Sequence, residues 1–195
     1  MRFLIRLENP SSYTPVDQRM LTLTMYDCVK NMGGDIGNLR VSSYAIEFDL
    51  LTNSKTNMEQ CLNSLEKQFG KIITVRELDM PVPKSIPSEA IRSGVALFNE
   101  ERYWESHESL ESAWRSATGS DRAILQGIIL LAAALVHLQK NEIDVAFSIM
   151  SRANDNLPDQ GILFGIDLRE LKQRLRKCVA EGTPLFFKIP SIDVR

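Results

Sequence analysis

Phe98 to Trp114 reads FNEERYWESHESLESAW. On a helix opening at Arg102, the residues Tyr103, His107, Leu110, Trp114 and Ala117 recur at intervals of three and four, which gathers them on one face. That face is apolar except for one imidazole, so His107 is expected to point into a core. Glu111 lies one turn further on, near the edge of the same face. Glu108 sits about 100° round from His107 at 3.6 residues per turn and is expected at the rim. The stretch thus marks both an amphipathic helix and the place where chemistry would sit.

The run that follows, Leu125 to Leu138, is apolar almost all round and is expected to be a central helix. Its only polar side chains are Gln126 and His137, about 16 Å apart along the axis at 1.5 Å per residue. Helices are read over 87–100, 102–117, 121–140, 142–156 and 168–181. The connections near Glu101, Gly119-Ser120 and Asn141 are very short, so sequential helices are expected to fold back as antiparallel hairpins. Reversal at Gly119 sets Gln126 opposite Glu111 and Trp114, and His137 reaches towards Tyr103 and Asn99. Gly127 is expected to let the two helices approach beside Glu111. The longest apolar run, Ile128 to Val136, is shorter than the roughly 20 residues that span a bilayer, so no membrane partner is expected.

Two readings of the central helix pair stand side by side. In one, a divalent metal, zinc or iron, is held by His107, Glu108 and Glu111. His137 or Gln126 then adds a ligand or orienting group, and Asn99, Tyr103, Trp104 and Trp114 line the pocket. Imidazole and carboxylate on adjacent turns suit these metals, and a metal there would activate water. In the other, His107 is a core polar group hydrogen-bonded to Glu111 or another neighbour. No strong signature decides between them. H-E-x-x-H needs a histidine at position 111, where Glu111 stands, and the di-iron E-x-x-H pattern needs a glutamate at position 104, where Trp104 stands. The basic cluster Arg169, Lys172, Arg174, Arg176 and Lys177 lies opposite a Leu168, Leu171, Leu175 and Val179 stripe and reads as a solvated face.

Outside this region the pattern changes. Residues 183–195 open with TPLFFKIP, an apolar, proline-bounded tail expected to lie extended in a groove of its own chain or of another subunit. Residues 80–87, with Pro81, Pro83 and Pro87, read as a stiff linker between a first domain, 1–79, and a helical bundle, 88–182. The first domain alternates. Arg2 to Leu7 is a strand, and Thr14-Pro15 caps a helix carrying Leu21, Met25, Cys28 and Met32 that Gly33-Gly34 ends. Asn38 to Val41 and Tyr44 to Leu51 are paired strands. Thr56 with Glu59 reads as a capping box for a helix carrying Met58, Leu62, Leu65 and Phe69, and Lys71 to Leu78 is the last strand.

The order β-α-β-β-α-β is that of a ferredoxin-like sandwich, with helices on one sheet face and the other open. RNA-recognition domains share it but need aromatic rings on the open face. Here that face carries Arg2, Leu4, Arg6, Ala45, Glu47 and Asp49, with no ring to stack on and acids that repel phosphate. A net charge of −2 over 195 residues excludes general nucleic-acid binding in the same way. Three dispersed cysteines read as reduced thiols of a cytoplasmic protein. The N-terminus reaches charge again at Arg6 and Glu8, too early for a signal peptide.

The set F-N-x-x-x-Y-W-x-x-H-E-x-L-E-x-x-W, with Leu125-Gln126-Gly127-Ile128 and Ala132-Ala133-Ala134-Leu135-Val136-His137, resembles the domain of unknown function 309 family over about residues 88–157. The resemblance implies an all-helical bundle and a family label of metal-dependent hydrolase. The expectation is therefore an α+β protein: a ferredoxin-like domain followed by an all-α bundle of antiparallel hairpins. Its function is that of a binding or assembly module, with a metal-dependent hydrolase as the alternative. A homo-oligomer or protein partner would use the open sheet face or the tail.

Overall fold

The computed structural model describes residues 1–79, 86–182 and 186–190. The linker expected over 80–87 falls largely outside them. The chain divides into two compact units, one built on the N-terminal half and one on the helical half.

The first unit runs β1 (Arg2–Glu8), α1 (Gln18–Val29), β2 (Gly34–Val41), β3 (Ala45–Thr52), α2 (Lys55–Phe69) and β4 (Ile72–Glu77). The four strands form an antiparallel sheet in the order β2-β3-β1-β4. Period-two alternation puts Phe3, Ile5 and Leu7 on the same face as Ile46, Phe48 and Leu50. That face packs into one core with Leu21, Met25 and Val29 of α1 and with Cys61, Leu62, Leu65 and Phe69 of α2. Gly33, in the left-handed region at φ 73°, turns the chain from α1 into β2. Thr14 caps a 3-10 turn, Pro15–Asp17, ahead of α1 and not α1 itself. The start of α2 differs from expectation. Ser54, not Thr56, is the N-cap, its hydroxyl accepting from the Asn57 N–H; the Thr56–Glu59 box falls one residue inside the first turn.

The second sheet face corrects a stronger expectation. Arg2, Leu4, Arg6, Glu47, Asp49 and Leu51 do share it, yet Leu4, Arg6, Arg40, Glu47 and Asp49 are buried, not open to water. Charges at such depth need partners. The Arg40 Nε donates to Glu47 at 2.8 Å, Arg2 pairs with Asp49 at 2.5 Å, and the Asn38 amide donates to Asp49 at 2.7 Å. The acids that looked like a phosphate-repelling surface are members of this arginine–carboxylate network.

The second unit runs α3 (Pro87–Asn99), α4 (Tyr103–Trp114), α5 (Gly119–Gln139), α6 (Ile143–Asn156), a two-residue hairpin β5 (Ile162–Leu163) and β6 (Ile166–Asp167), and α7 (Leu168–Glu181). Its core gathers Phe98, Tyr103, Leu110, Leu131, Leu135, Met150 and Leu171, among others. α5, with 21 residues, is longer than its apolar run and is, by length and composition, able to cross a bilayer. Half of its apolar window is buried inside the fold, with Ile128, Leu131, Ala132 and Leu135 in the core.

Candidate functional site

α4 begins at Tyr103 because Glu101, in the left-handed region at φ 57°, reverses the chain after α3. The α3–α4 hairpin is held by small residues. The Ser106 hydroxyl donates to the Gly94 carbonyl and the Ser109 hydroxyl to the Ala90 carbonyl, each at 2.8 Å. A Cβ on Gly94 would lie 2.6 Å from Leu110 Cγ, so only glycine permits this approach. The face of α4 turned inward is consequently Tyr103, Ser106, Leu110 and Ala113.

That face is one residue away from the expected one, and the difference relocates the expected metal set. His107 lies about 100° round from Ser106 and is half-buried, as are Glu108 and Glu111. Glu111 pairs instead with Arg115, one turn on, at 3.6 Å. Among the described residues no three His, Cys, Asp or Glu side chains converge in a way that could hold a metal ion. His137, at the far end of α5, pairs through Nδ1 with Glu142, and Gln126 is half-buried on the same helix. Gly127 faces the end of α6, not α4: a Cβ there would lie 2.9 Å from Leu157 Cγ. Trp104 and Trp114 are half-buried, and the Arg122 guanidinium stacks 3.7 Å from the Trp114 ring centroid while donating to the Trp114 and Ala117 carbonyls. That arrangement satisfies the final carbonyl of α4 and one in the turn that follows it.

The carboxylate that does turn inward is Glu105, 9 % exposed, which periodicity had not singled out. Its two oxygens accept from Arg102 Nε and Nη2 at 2.7 and 3.0 Å, a bidentate pair, and Glu100 accepts from Nη1 at 3.1 Å. Burial lowers the Arg102 pKa, but the bonds and charges of Glu105 and then Glu100 outweigh it, leaving the guanidinium above its ordinary value. The group is a fixed cation fastening the α3–α4 turn, with no proton to exchange near neutral pH.

Two of the residues expected to line the pocket, Asn99 and Tyr103, do meet, around a different object. Phe98 and Tyr103 pack edge to face, ring centroids 4.9 Å apart. Against them lie Phe187, 6.2 Å from Phe98, and Phe186, 5.8 Å from Tyr103. Residues 186–190 thus occupy a groove of their own chain. The Asn99 carboxamide accepts from the Ile189 N–H at 2.7 Å and donates to the Ile189 carbonyl at 3.3 Å. Arg174 Nη1 donates to the Lys188 carbonyl at 3.0 Å, and the Asp167 N–H to the Pro190 carbonyl at 3.1 Å. Ile189 is 2 % exposed and belongs to the core. A separate cleft of about 300 Å³, lined by Pro87, Ile91, Ala117, Asp121, Leu125 and Phe164 with three other residues, includes none of the residues expected to form a site.

The family model described as Domain of unknown function (DUF309) matches residues 91–149. A conserved hypothetical protein from Thermus thermophilus, known as a crystal structure, is 36 % identical over 46 % of this chain and 94 % of its own, with a TM-score of 0.40. No curated protein matches the chain.

Proposed function

We propose that this chain, whose residues 91–149 match the DUF309 family model, is a binding or assembly module whose helical unit holds an extended peptide segment. One observation carries the reading: the Asn99 carboxamide makes reciprocal hydrogen bonds to the main chain of Ile189. A side-chain amide offering donor and acceptor to the N–H and C=O of one residue mimics a strand edge and reads backbone. The Phe98–Tyr103 platform supplies apolar area for neighbouring side chains. In this reading the first unit is a ferredoxin-like sandwich, supported by its β-α-β-β-α-β order and its antiparallel sheet. The same reading takes the helices of the second unit as antiparallel hairpins, supported by the hydroxyl-to-carbonyl bonds between α3 and α4. Cytoplasmic residence is part of the same proposal, supported by three free cysteines.

A chain ending at Gly182, with the synthetic peptide of residues 183–195 carrying a fluorophore, tests the reading. Saturable anisotropy, weakened at least tenfold by Asn99→Ala, is the expected result. A truncated chain that keeps its helical circular dichroism yet does not take up the peptide overturns it. Elemental analysis separates the hydrolase alternative. Stoichiometric zinc or iron in protein purified without added metal, lost in His107→Ala, would favour the metalloenzyme.

A further inference from the structure

We propose that the cleft between the α4–α5 turn and the β5–β6 hairpin binds a small arylalkylamine, its ring against an apolar floor and Phe164, its ammonium against Asp121. The cleft shares none of the residues that hold 186–190 in their groove, so this inference does not depend on the peptide-groove reading. Ile91, Ala113 and Leu125 form the floor, and all three are buried. They carry no polar side-chain atom, so the inner part of the roughly 300 Å³ cleft takes an apolar group.

The polar lining selects by sign. Asp121 is the one charged residue among the nine that line the cleft. The Ser120 hydroxyl meets it at 3.4 Å, and no cation among the described residues pairs with it. Its neighbour Arg122 is committed elsewhere, donating to the Trp114 and Ala117 carbonyls and stacking on the Trp114 ring. The partial positive charge at the N-terminus of α5 is only about half an elementary charge, so a full carboxylate leaves this end of the cleft negative. The Ser116 hydroxyl, also in the lining, donates to the Ala113 carbonyl at 3.0 Å, which leaves its oxygen to accept. A ligand entering here meets acceptors. A primary ammonium, with its N–H donors and positive charge, satisfies them; a carboxylate does not.

Phe164 supplies an independent observation. It forms the two-residue turn of the β5–β6 hairpin with Gly165, at φ 49° and 80°. A turn that is left-handed at both positions favours Asn-Gly, and a bulky side chain at the first of them is strained. The hairpin does not need this ring as an anchor. Leu163 and Ile166 already fix it in the core, whereas Phe164 stays 55 % exposed. A ring held there at the margin of an apolar cleft can pack on a bound aryl group and attract an ammonium over its face.

The test titrates the whole chain with phenethylamine, the neutral phenethyl alcohol and the anionic hydrocinnamate, followed by amide NMR shifts. Phenethylamine is expected to bind saturably and up to about fivefold more tightly than the alcohol at low salt, as an exposed ion pair allows. That advantage should shrink with added salt and vanish in Asp121→Asn. Hydrocinnamate should bind most weakly. Phe164→Asn should raise the thermal midpoint, because asparagine suits the turn, yet weaken phenethylamine about tenfold. A ring that served only packing would give the opposite sign in the melt. Absence of saturable binding, equal affinity for amine and alcohol, or a Phe164→Asn variant that loses stability or keeps its affinity overturns the proposal. The labelled 183–195 peptide reads the other groove, so none of these outcomes decides that reading.

Discussion

Asn99 joins two points 90 residues apart in the chain with a single carboxamide. Each of its two bonds contributes about 0.5–1.5 kcal/mol net, so Asn99→Ala is expected to lower stability by about 1–3 kcal/mol in urea denaturation. Amide exchange at Ile189 should accelerate in the same variant. Asn99→Asp should cost more, because a carboxylate keeps the acceptor for the Ile189 N–H but sets an anion against the Ile189 carbonyl; an Asp variant as stable as wild type would refute the pairing. The sequence suggested Asn99 as a pocket-lining residue and could not show what it holds, since nothing local encodes a partner 90 residues away. His107 teaches the complementary lesson. The stripes Tyr103-His107-Leu110-Trp114 and Tyr103-Ser106-Leu110-Ala113 have the same helical spacing, and periodicity cannot separate them. What separates them is Ser106, whose hydroxyl finds the Gly94 carbonyl and can therefore enter the core satisfied. His107→Ala is accordingly expected to change stability by less than about 1 kcal/mol. A loss of several kcal/mol would return the imidazole to the core.

Among elements, the α3–α4 hairpin depends on closeness. Gly94→Ala places a methyl 2.6 Å from Leu110 Cγ, and overpacking of this kind costs about 1–3 kcal/mol. Ser106→Ala removes the donor to the Gly94 carbonyl and should cost about 1–3 kcal/mol. The two act on one contact, so the double variant should lose less than the sum of the single losses, which a double-mutant cycle measures. The α6–α7 connection is fastened differently. Asp159 faces the Lys172 ammonium at 3.4 Å and accepts a hydrogen bond from Arg176 at 2.8 Å. Hydrogen bonding to Lys172 first, then its charge and that of Arg176, holds the Asp159 carboxyl below its ordinary range. A depressed folded-state pKa stabilises above the unfolded value, about 3.9, and that contribution disappears as pH falls through the lower folded value. An NMR titration should place the Asp159 midpoint below that of a model peptide and move it upward in Lys172→Met; an unchanged midpoint would remove Lys172 as the cause. At this scale the sequence was most informative. Strand order, helix order and the short reversals follow from period and punctuation, whereas the caps of α2 and the depth of the second sheet face depend on packing that no local pattern specifies.

For the whole molecule, the two compact units each contain their own buried thiol, Cys61 in the core of the first and Cys178 in the second. Burial raises the Cys61 pKa, with the nearby Cys28 adding to it, so the thiolate that reagents attack is scarce in the folded state. Cys28 is only half-buried and should be alkylated first. Each buried thiol then becomes accessible only when its unit opens, which turns labelling into a separate stability measurement for each half of one intact chain. In a denaturant series with pulsed alkylation and mass spectrometry, truncation after Gly182 should shift the Cys178 midpoint downward. The truncation removes Phe186, Phe187 and Ile189 from the core that also holds Leu168, Leu171 and Leu175 of α7. The Cys61 midpoint belongs to a core made of α1, α2 and the strands they cover, and it should not move. Equal shifts at both cysteines would mean that the units unfold as one cooperative body. No shift at either would mean that the tail contributes nothing to the helical core it lies against.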